Sequence, residues 1–188
     1  MIYGKIPKER IGVLVGHDGS TRDEIERRSG SKLHINSETG ETVVVIEDAE
    51  DPVLGIKAAD VVKAIARGFS PERSFRLFEE DTYLTMLDIR DYAGKSKKRI
   101  RQVRGRIIGS GGRTRELIEE LTGADISIYG STVSVIGDMD EANAAVKALE
   151  MLLDGSEHST VYHFLEKQHK YLKMSRMGMV YYDRREEP

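Results

Sequence analysis

The chain has 188 residues, of which 39% are hydrophobic and 32% charged, a composition typical of one large or two small globular domains. Cysteine is absent, which excludes disulfide frameworks, Cys-ligated zinc sites and thiol nucleophiles. No apolar run approaches the roughly 20 residues that cross a bilayer, and the N-terminus lacks a secretory signal pattern, so we expect a cytoplasmic protein.

The charges are spread unevenly, although the net charge of −3 gives no overall attraction to nucleic acid. Residues 38–51 contain six carboxylates and no lysine or arginine. Residues 95–115 contain nine lysines and arginines and no acid. The second segment is therefore set apart as a cationic region.

The first predicted domain comprises residues 1–70 and combines short strands with helices. A strand is expected over residues 2–6, followed by two helices that flank a loop bounded by Gly16 and Gly19. Residues 32–35 and 42–46 are expected to form two further strands. A third helix follows, with apolar side chains at helical spacing: Ile56, Ala59, Val62, Ile65 and Ala66.

Residues 71–94 are predicted to be a helical linker. The mainly helical pattern begins at residue 72 and runs to residue 103, with a break at Gly94 and apolar positions at Phe75, Phe78, Leu84, Leu87 and Ile89. Residues 88–90 are short and resemble a helix, so the sequence leaves open whether the next domain has its own first strand.

The second predicted domain, residues 95–155, repeats the first. Residues 12–26 return as residues 105–119 with constant spacing, and the match continues through strands at 125–128 and 132–136. The third helix recurs with Ala142, Ala145, Val146, Leu149 and Leu152 on its apolar positions. Residues 156–188 then supply a C-terminal helix from about residue 160 to residue 174, and a tail.

Both copies place a G-x-x-G loop between two helices, with two strands and a third helix after it. A lone G-x-x-G is a weak signal in a chain with 18 glycines, but this context is specific. It is the layout of a KH domain, whose loop clamps four nucleotides. The sequence therefore predicts an α+β protein with two tandem type I KH domains (βααββα) joined by a helical linker.

The second loop is the stronger candidate for RNA binding. Its glycines let the backbone approach phosphates closely, and the N-terminus of the following helix favours an anion. Isoleucines around the loop are expected to form an apolar groove for bases, although some belong to the core and the sequence does not say which. The predicted RNA-binding residues are Lys97, Lys98, Arg101, Gly105, Arg106, Ile107, Ile108, Gly109, Ser110, Gly111, Gly112, Arg113, Thr114, Arg115, Ile118, Ile126 and Ile128.

The first loop is predicted to be a weaker RNA site. It carries Asp18 where the second loop has Gly111, and Ser20 where the second has Arg113. An anion beside a phosphate costs on the order of 1 kcal/mol at a wet surface. The residues that would form this weak site are Gly16, His17, Gly19 and Arg22.

Residues 104–115, 119–123 and 128–133 resemble the archaeal and eukaryotic family of double-KH small-subunit ribosome assembly factors. Residues 87–96 and 158–162 resemble the same family, so the similarity covers nearly the whole chain. The resemblance implies a non-enzymatic protein that binds near the 3′ end of 16S-type rRNA through its second KH domain.

The resemblance also implies two protein partners. One is the PIN-domain endonuclease that makes the final 3′ cut of small-subunit rRNA in eukaryotes, and the other is the α subunit of translation initiation factor 2 in archaea. Family members often lack a proper loop in the first domain. This chain keeps both Gly16 and Gly19, which leaves room for RNA binding there.

Two other classes of function compete with this interpretation. An enzyme is disfavoured because the chain has no H-E-x-x-H, no phosphate-binding G-x-x-x-x-G-K-[ST] and no G-x-G-x-x-G after a strand. Two groups of titratable residues are expected to be solvated rather than to bind metal: His158, His163 and His169, and Asp18, Asp23 and Glu24. We therefore expect no catalytic residue, metal or cofactor.

A protein adaptor that uses the KH fold without RNA is the second alternative. The acidic residues 38–51 favour it for the first domain, whereas Gly111 with Arg113 and Arg115 argues against it for the whole chain. The sequence does not give the RNA sequence bound, the oligomeric state or the orientation of the two domains.

Overall fold

The computed structural model describes residues 2–45 and 51–178, without the side chains of Ile2 and Tyr3. Three predicted features lie outside the described residues: Ile46 at the end of a strand, the acidic positions 47, 48 and 50, and the tail beyond residue 178. Among the helices of the described ranges, none is both long enough and apolar enough to span a bilayer.

The first domain is a three-stranded antiparallel sheet packed against helices. Its elements are β1 (Ile2–Lys5), α1 (Lys8–Val15), α2 (Ser20–Ser29), β2 (Lys32–Ile35), β3 (Glu41–Val45) and α3 (Pro52–Ala66). β3 lies in the middle, with Lys5 opposite Glu41 on one side and Ile35 opposite Thr42 on the other. α3 begins where the Asp51 side chain accepts a hydrogen bond from the Val53 amide, which satisfies a backbone donor that the helix cannot.

A short connection joins the two domains. It consists of α4 (Pro71–Ser74) and one turn of 3₁₀ helix over Phe75–Phe78. Leu77 is fully buried, so the connection is packed onto the core of the first domain.

The second domain repeats the order of elements, with one additional short helix, α5 (Ile89–Ala93), after its first strand. Its elements are β4 (Tyr83–Asp88), α5, α6 (Lys97–Ile108), α7 (Arg113–Thr122), β5 (Asp125–Tyr129), β6 (Thr132–Gly137) and α8 (Met139–Leu153). The sheet order β4-β6-β5 matches the order β1-β3-β2 of the first domain. The predicted α+β class with two βααββα units is confirmed.

The prediction of a mainly helical segment over residues 72–103 was wrong at residues 83–88, which form the strand β4. The sequence had left open whether the second domain has a first strand of its own, and β4 is that strand. β4 pairs with β6 along its whole length, from Tyr83 opposite Gly137 to Asp88 opposite Thr132. Leu84 packs against the first domain and Leu87 against the core of the second. Because both faces of this strand carry apolar residues, the sequence lacks the alternation of a half-buried strand. We propose that the second domain begins with β4.

The predicted C-terminal helix is confirmed and is slightly longer than expected. It forms α9 (His158–Arg176), with Val161, Leu165 and Leu172 buried against the second domain. Val161 and Leu165 belong to the core of that domain. The helix is therefore part of the second domain rather than an appendage.

The outer face of the second sheet is covered by the first domain and its connection. Ile136 of β6 lies in the core of the first domain and has no exposed surface. Next to it, Arg76 donates hydrogen bonds to Asp125 at 2.6 Å and to Glu141 at 3.1 Å. Arg73 donates to Asp125 at 2.7 Å. These contacts support a fixed arrangement of the two domains.

Candidate nucleic-acid interface

The second glycine loop joins α6 to α7 through backbone conformations that favour glycine. Gly109 has φ of 73° and ψ of 176°, a region populated essentially by glycine alone. A Cβ added there would lie 2.2 Å from Oγ1 of Thr114. Gly111 and Gly112 follow with φ of 60° and 88°. A Cβ added at Gly111 would meet no atom within 4 Å, so the loop backbone is open at that residue.

The N-terminus of α7 is available to an anion. Within the described residues no side chain caps it, although the Arg113 N–H donates to the Ser110 carbonyl oxygen of the loop. The N–H groups that follow Arg113 in the first turn have no acceptor within the helix. Those donors and the positive end of the helix dipole favour a phosphate at this position. Glu116 in the first turn is exposed and lies 3.8 Å from Arg115, which partly offsets its charge.

Exposed cations line the approach to the loop. Lys97, Lys98 and Arg101 on α6 are all exposed, and Arg113 is exposed directly after the loop. In the described part of the chain, these four side chains have no acid within ion-pair distance, whereas Arg115 lies 3.7 Å from Glu119. Arg113 stands at the N-terminus of α7, whereas Lys97, Lys98 and Arg101 lie in the first turns of α6, about 12–18 Å along the helix axis from Gly109.

The start of α9 braces the loop from behind. The hydroxyl groups of Tyr162 and Thr114 share a hydrogen bond of 3.2 Å, and Nε2 of His158 lies 3.1 Å from the Arg106 carbonyl oxygen. Arg106 itself donates to the Ser156 carbonyl oxygen. His158 is half-buried and contacts the backbone of α6. The guanidinium of Arg106, which was predicted to bind RNA, is used within the protein. Sequence reasoning missed Tyr162, although the family resemblance over residues 158–162 pointed to this segment.

The remaining histidines do not come together. His163 is exposed and lies 3.7 Å from Glu166, and Nδ1 of His169 lies 2.9 Å from the Leu121 carbonyl oxygen. Across residues 2–45 and 51–178, no three His, Cys, Asp or Glu side chains form a group that could hold a metal ion.

Two of the five isoleucines predicted to line the groove reach the surface. Ile108, the last residue of α6, and Ile128, in β5, are half-buried. Ile107, Ile118 and Ile126 have no exposed surface and belong to the core of the second domain. The prediction that these three contact bases was wrong, because they hold the helices on the sheet behind the groove.

The first glycine loop has nearly the same backbone. Gly16 has φ of 76° and ψ of 176°, as Gly109 does within 3°. Asp18 has φ of 51° and ψ of 27°, close to the 60° and 18° of Gly111. A non-glycine residue is therefore accommodated at this position of the loop, since aspartate tolerates the left-handed region better than most residues.

Acidic side chains lie beside the basic residues of the first loop. Asp18 lies 2.9 Å from Nδ1 of His17, and Arg22 donates to Asp23 at 2.7 Å. The hydrogen bond to Asp23 raises the pKa of Arg22 above its ordinary value. Two of the four residues of the predicted weak site, His17 and Arg22, thus already face an acid. This loop is a less favourable place for a phosphate than the second one.

Both halves of the chain match known families. Residues 83–170 match the family described as a eukaryotic type KH domain (KH-domain type I). This family is that of the second KH domain of PNO1. Residues 2–66 match the KH domain family. The first of these ranges begins at Tyr83, the first residue of β4.

Curated relatives occur in archaea and eukaryotes. A KH domain-containing protein of Methanocaldococcus jannaschii is 42% identical over 175 residues, which are 93% of this chain and 77% of that protein. The pre-rRNA-processing protein pno1 of Emericella nidulans is 32% identical over 113 residues, 59% of this chain. The match spans 44% of the length of that eukaryotic protein.

Solved structures share the fold over most of the chain. The crystal structure of Dim2p from Pyrococcus horikoshii is 48% identical, with a TM-score of 0.82 over 88% of this chain and 98% of that one. A chain in the crystal structure of an a/eIF2alpha–aDim2p–rRNA complex from the same organism is 47% identical. Its TM-score is 0.84, and the match covers 90% of this chain and 94% of that one.

Proposed function

The chain belongs to the double-KH protein family that includes archaeal Dim2 and eukaryotic PNO1, and from this premise we propose that it binds single-stranded rRNA in small-subunit biogenesis. The segment bound lies near the 3′ end of 16S-type rRNA, and the second KH domain binds it. One observation carries the proposal: the GSGG loop leads into a helix N-terminus that no side chain caps among the described residues, with exposed cations along the preceding helix α6 and at Arg113.

The backbone of the RNA is held at the loop. A phosphate takes the N–H groups that follow Arg113 in the first turn of α7, close to Gly111, where the main chain is uncovered. Lys97, Lys98 and Arg113 neutralise neighbouring phosphates. These contacts provide affinity and position but little choice of sequence.

The bases lie in the groove between α6 and β5. Ile108 and Ile128 supply its apolar surface because they alone among the five groove isoleucines are partly exposed. Single-stranded RNA fits such a groove since its base edges are free, whereas the bases of a duplex are stacked and paired. The RNA must therefore be single-stranded where it crosses the loop.

Two protein partners accompany the RNA in this proposal. The solved complex that contains a/eIF2alpha, aDim2p and rRNA supports an interaction with the α subunit of translation initiation factor 2. The family resemblance supports a PIN-domain endonuclease, which would make the cut. Both partners can be tested by co-purification with the full chain.

A protein adaptor remains the alternative for the first domain. Its loop pairs Asp18 with His17 and Arg22 with Asp23, so few free cations are left there for RNA. The second domain does not favour this alternative because its loop and α6 retain exposed positive charge.

The test is the affinity for a labelled RNA that matches the 3′ end of 16S rRNA, compared with a scrambled RNA over a salt series. Each phosphate neutralised on a single strand contributes about −0.7 to the slope of log K against log salt. If each of four unpaired cations neutralises one phosphate, the slope of log K against log salt should be about −3. The four cations are Lys97, Lys98, Arg101 and Arg113. Absence of binding to both RNAs would shift the function to the adaptor.

A further inference from the structure

A second concave site lies in the first domain, away from both glycine loops. It is a cleft of about 290 Å³ between β1, β3 and α3. An adjoining cleft of about 400 Å³ shares Lys5, Ile6 and Arg67 with it and extends to Lys8. A volume of this size is at the lower end of the roughly 300–1,000 Å³ that small-ligand sites occupy. It suits one nucleotide or a molecule of similar size.

The inner wall of the cleft carries polar groups that lack partners. The hydroxyl oxygen of Thr42 is buried and has no hydrogen-bond partner among the described residues. Asp60 is half-buried, and residues 2–45 and 51–178 provide its carboxylate with no hydrogen bond. Burial raises the pKa of Asp60, although the nearby Lys63 and Lys57 act to lower it. A buried hydroxyl is normally hydrogen-bonded, and the half-buried Asp60 carboxylate keeps a surface that donors of a ligand can reach.

The rim of the cleft is cationic. Lys5 and Lys63 are exposed and Arg67 is half-buried, and Lys8 stands at the adjoining cleft. In the described ranges these four side chains are not part of any ion pair. Between rim and inner wall, apolar side chains from Ile6, Val44 and Val62 line the sides. The cleft therefore combines an anion-binding rim, apolar walls and a carboxylate that accepts hydrogen bonds.

We propose that this cleft binds a guanine nucleotide, with the base inside and the phosphate at the rim. Guanine presents two adjacent donors, N1–H and the N2 amino group, which match the two oxygens of the Asp60 carboxylate. Adenine and cytosine place an acceptor beside their amino group, and uracil has one N–H between two carbonyl oxygens. These three edges would set an acceptor against the carboxylate. The apolar walls cover the faces of the ring.

The nucleotide has two chemically equivalent sources, a free nucleotide and a guanosine within RNA. The rim lies beside the second domain, since the Arg67 carbonyl oxygen accepts a hydrogen bond of 2.9 Å from Ser127 of β5. Tyr129, at the end of the same strand, donates to Glu9, next to Lys8. An RNA strand that leaves the groove along β5 would thus reach the rim. This second source rests on the proposed function, whereas the first does not.

The test is titration of the ¹⁵N-labelled full chain with GMP, AMP, CMP and UMP, followed by amide shifts over residues 60–67. GMP should bind more tightly than the other three, and Asp60→Asn should weaken GMP binding by at least about tenfold because a hydrogen-bonded charge is lost. Asp140→Asn is the matched control, since Asp140 is an exposed aspartate of α8 outside the cleft. Equal shifts with all four nucleotides, or GMP binding unchanged in Asp60→Asn, would overturn the proposal.

The source is identified with RNA in which guanosines are replaced by inosine, which lacks the N2 donor. Weaker binding of wild type to the inosine RNA, with no such difference in Asp60→Asn, assigns the cleft to the RNA strand. If GMP binds as expected but no RNA binds, the proposed function fails and the nucleotide site stands. If neither GMP nor guanosine in RNA depends on Asp60, the nucleotide site is refuted.

Discussion

Replacing Gly111 by aspartate places one negative charge at the centre of the second loop with little change to the backbone. Gly111 has φ of 60° and ψ of 18°, and the aspartate of the first loop, Asp18, already adopts 51° and 27°. An added Cβ at Gly111 meets no atom within 4 Å. The strain in the folded state should thus be at most about 1–2 kcal/mol, the range for a left-handed residue. Gly111→Asn is the matched control because asparagine has the same shape without the charge.

The effect on RNA binding follows from the distance between the new carboxylate and the phosphate. At about 5 Å, two unit charges repel by roughly 0.8 kcal/mol at an effective dielectric constant of 80 and by roughly 3 kcal/mol at 20. The corresponding loss of affinity is about 4-fold to 150-fold. Salt screens exposed charges, so the deficit of Gly111→Asp relative to Gly111→Asn should shrink as the salt concentration rises.

The assay is fluorescence anisotropy with a labelled single-stranded RNA, with thermal unfolding of each variant as the check on folding. The expected order of affinity is wild type, then Gly111→Asn close behind, then Gly111→Asp well below. Equal losses in the two variants would show that the backbone, and not the charge, matters. Binding by Gly111→Asp equal to that of wild type would refute the assignment of the phosphate to this loop.

Three further outcomes are expected. Gly109→Ala should lower the free energy of unfolding by about 2 kcal/mol or more, because the added Cβ would clash with Oγ1 of Thr114 in a backbone conformation that other residues rarely adopt. A denaturation midpoint equal to that of Gly111→Ala would contradict this expectation. Arg76→Met should lower the free energy of unfolding by about 1–3 kcal/mol, because Asp125 and Glu141 each lose a hydrogen bond and their side chains are only 16% and 8% exposed. An unchanged midpoint of urea denaturation would show that the contacts of Arg76 add no stability. Asp60→Asn should raise Tm at neutral pH, because burial raises the pKa of the Asp60 carboxyl above its ordinary value of 3.8. The stability of wild type therefore falls as the pH rises from about 3.8 through the raised pKa, whereas that of Asp60→Asn does not. Melting curves over pH should show a gain in Tm that disappears in acid.

The features that the sequence indicated correctly depend on local pattern. The repeat of residues 12–26 at 105–119 located two helix–loop–helix units, and the glycines at 16 and 109 adopt backbone conformations that other residues avoid. Local chemistry of this kind survives in whatever tertiary setting it is placed.

The features that the sequence did not decide depend on what lies opposite each residue. The sequence did not predict β4 as a strand because its apolar residues face two different cores. The second of these contacts exists only once the first domain covers the sheet of the second domain. The same reason applies to Ile107, Ile118 and Ile126, whose spacing fits a groove as well as a core. Burial is a property of the packed structure and has no signature in the spacing alone.

The sequence by itself therefore determined the two KH units, their loops and the separation of charge between them, because these follow from spacing, glycine conformation and residue type. Only the tertiary structure decided which cations remain free, which isoleucines reach the surface, how α9 braces the loop through Tyr162, and that Asp60 and Thr42 line one cleft. These outcomes require contacts between residues far apart in the chain, such as Thr114 with Tyr162. Such contacts form only when the whole chain has packed.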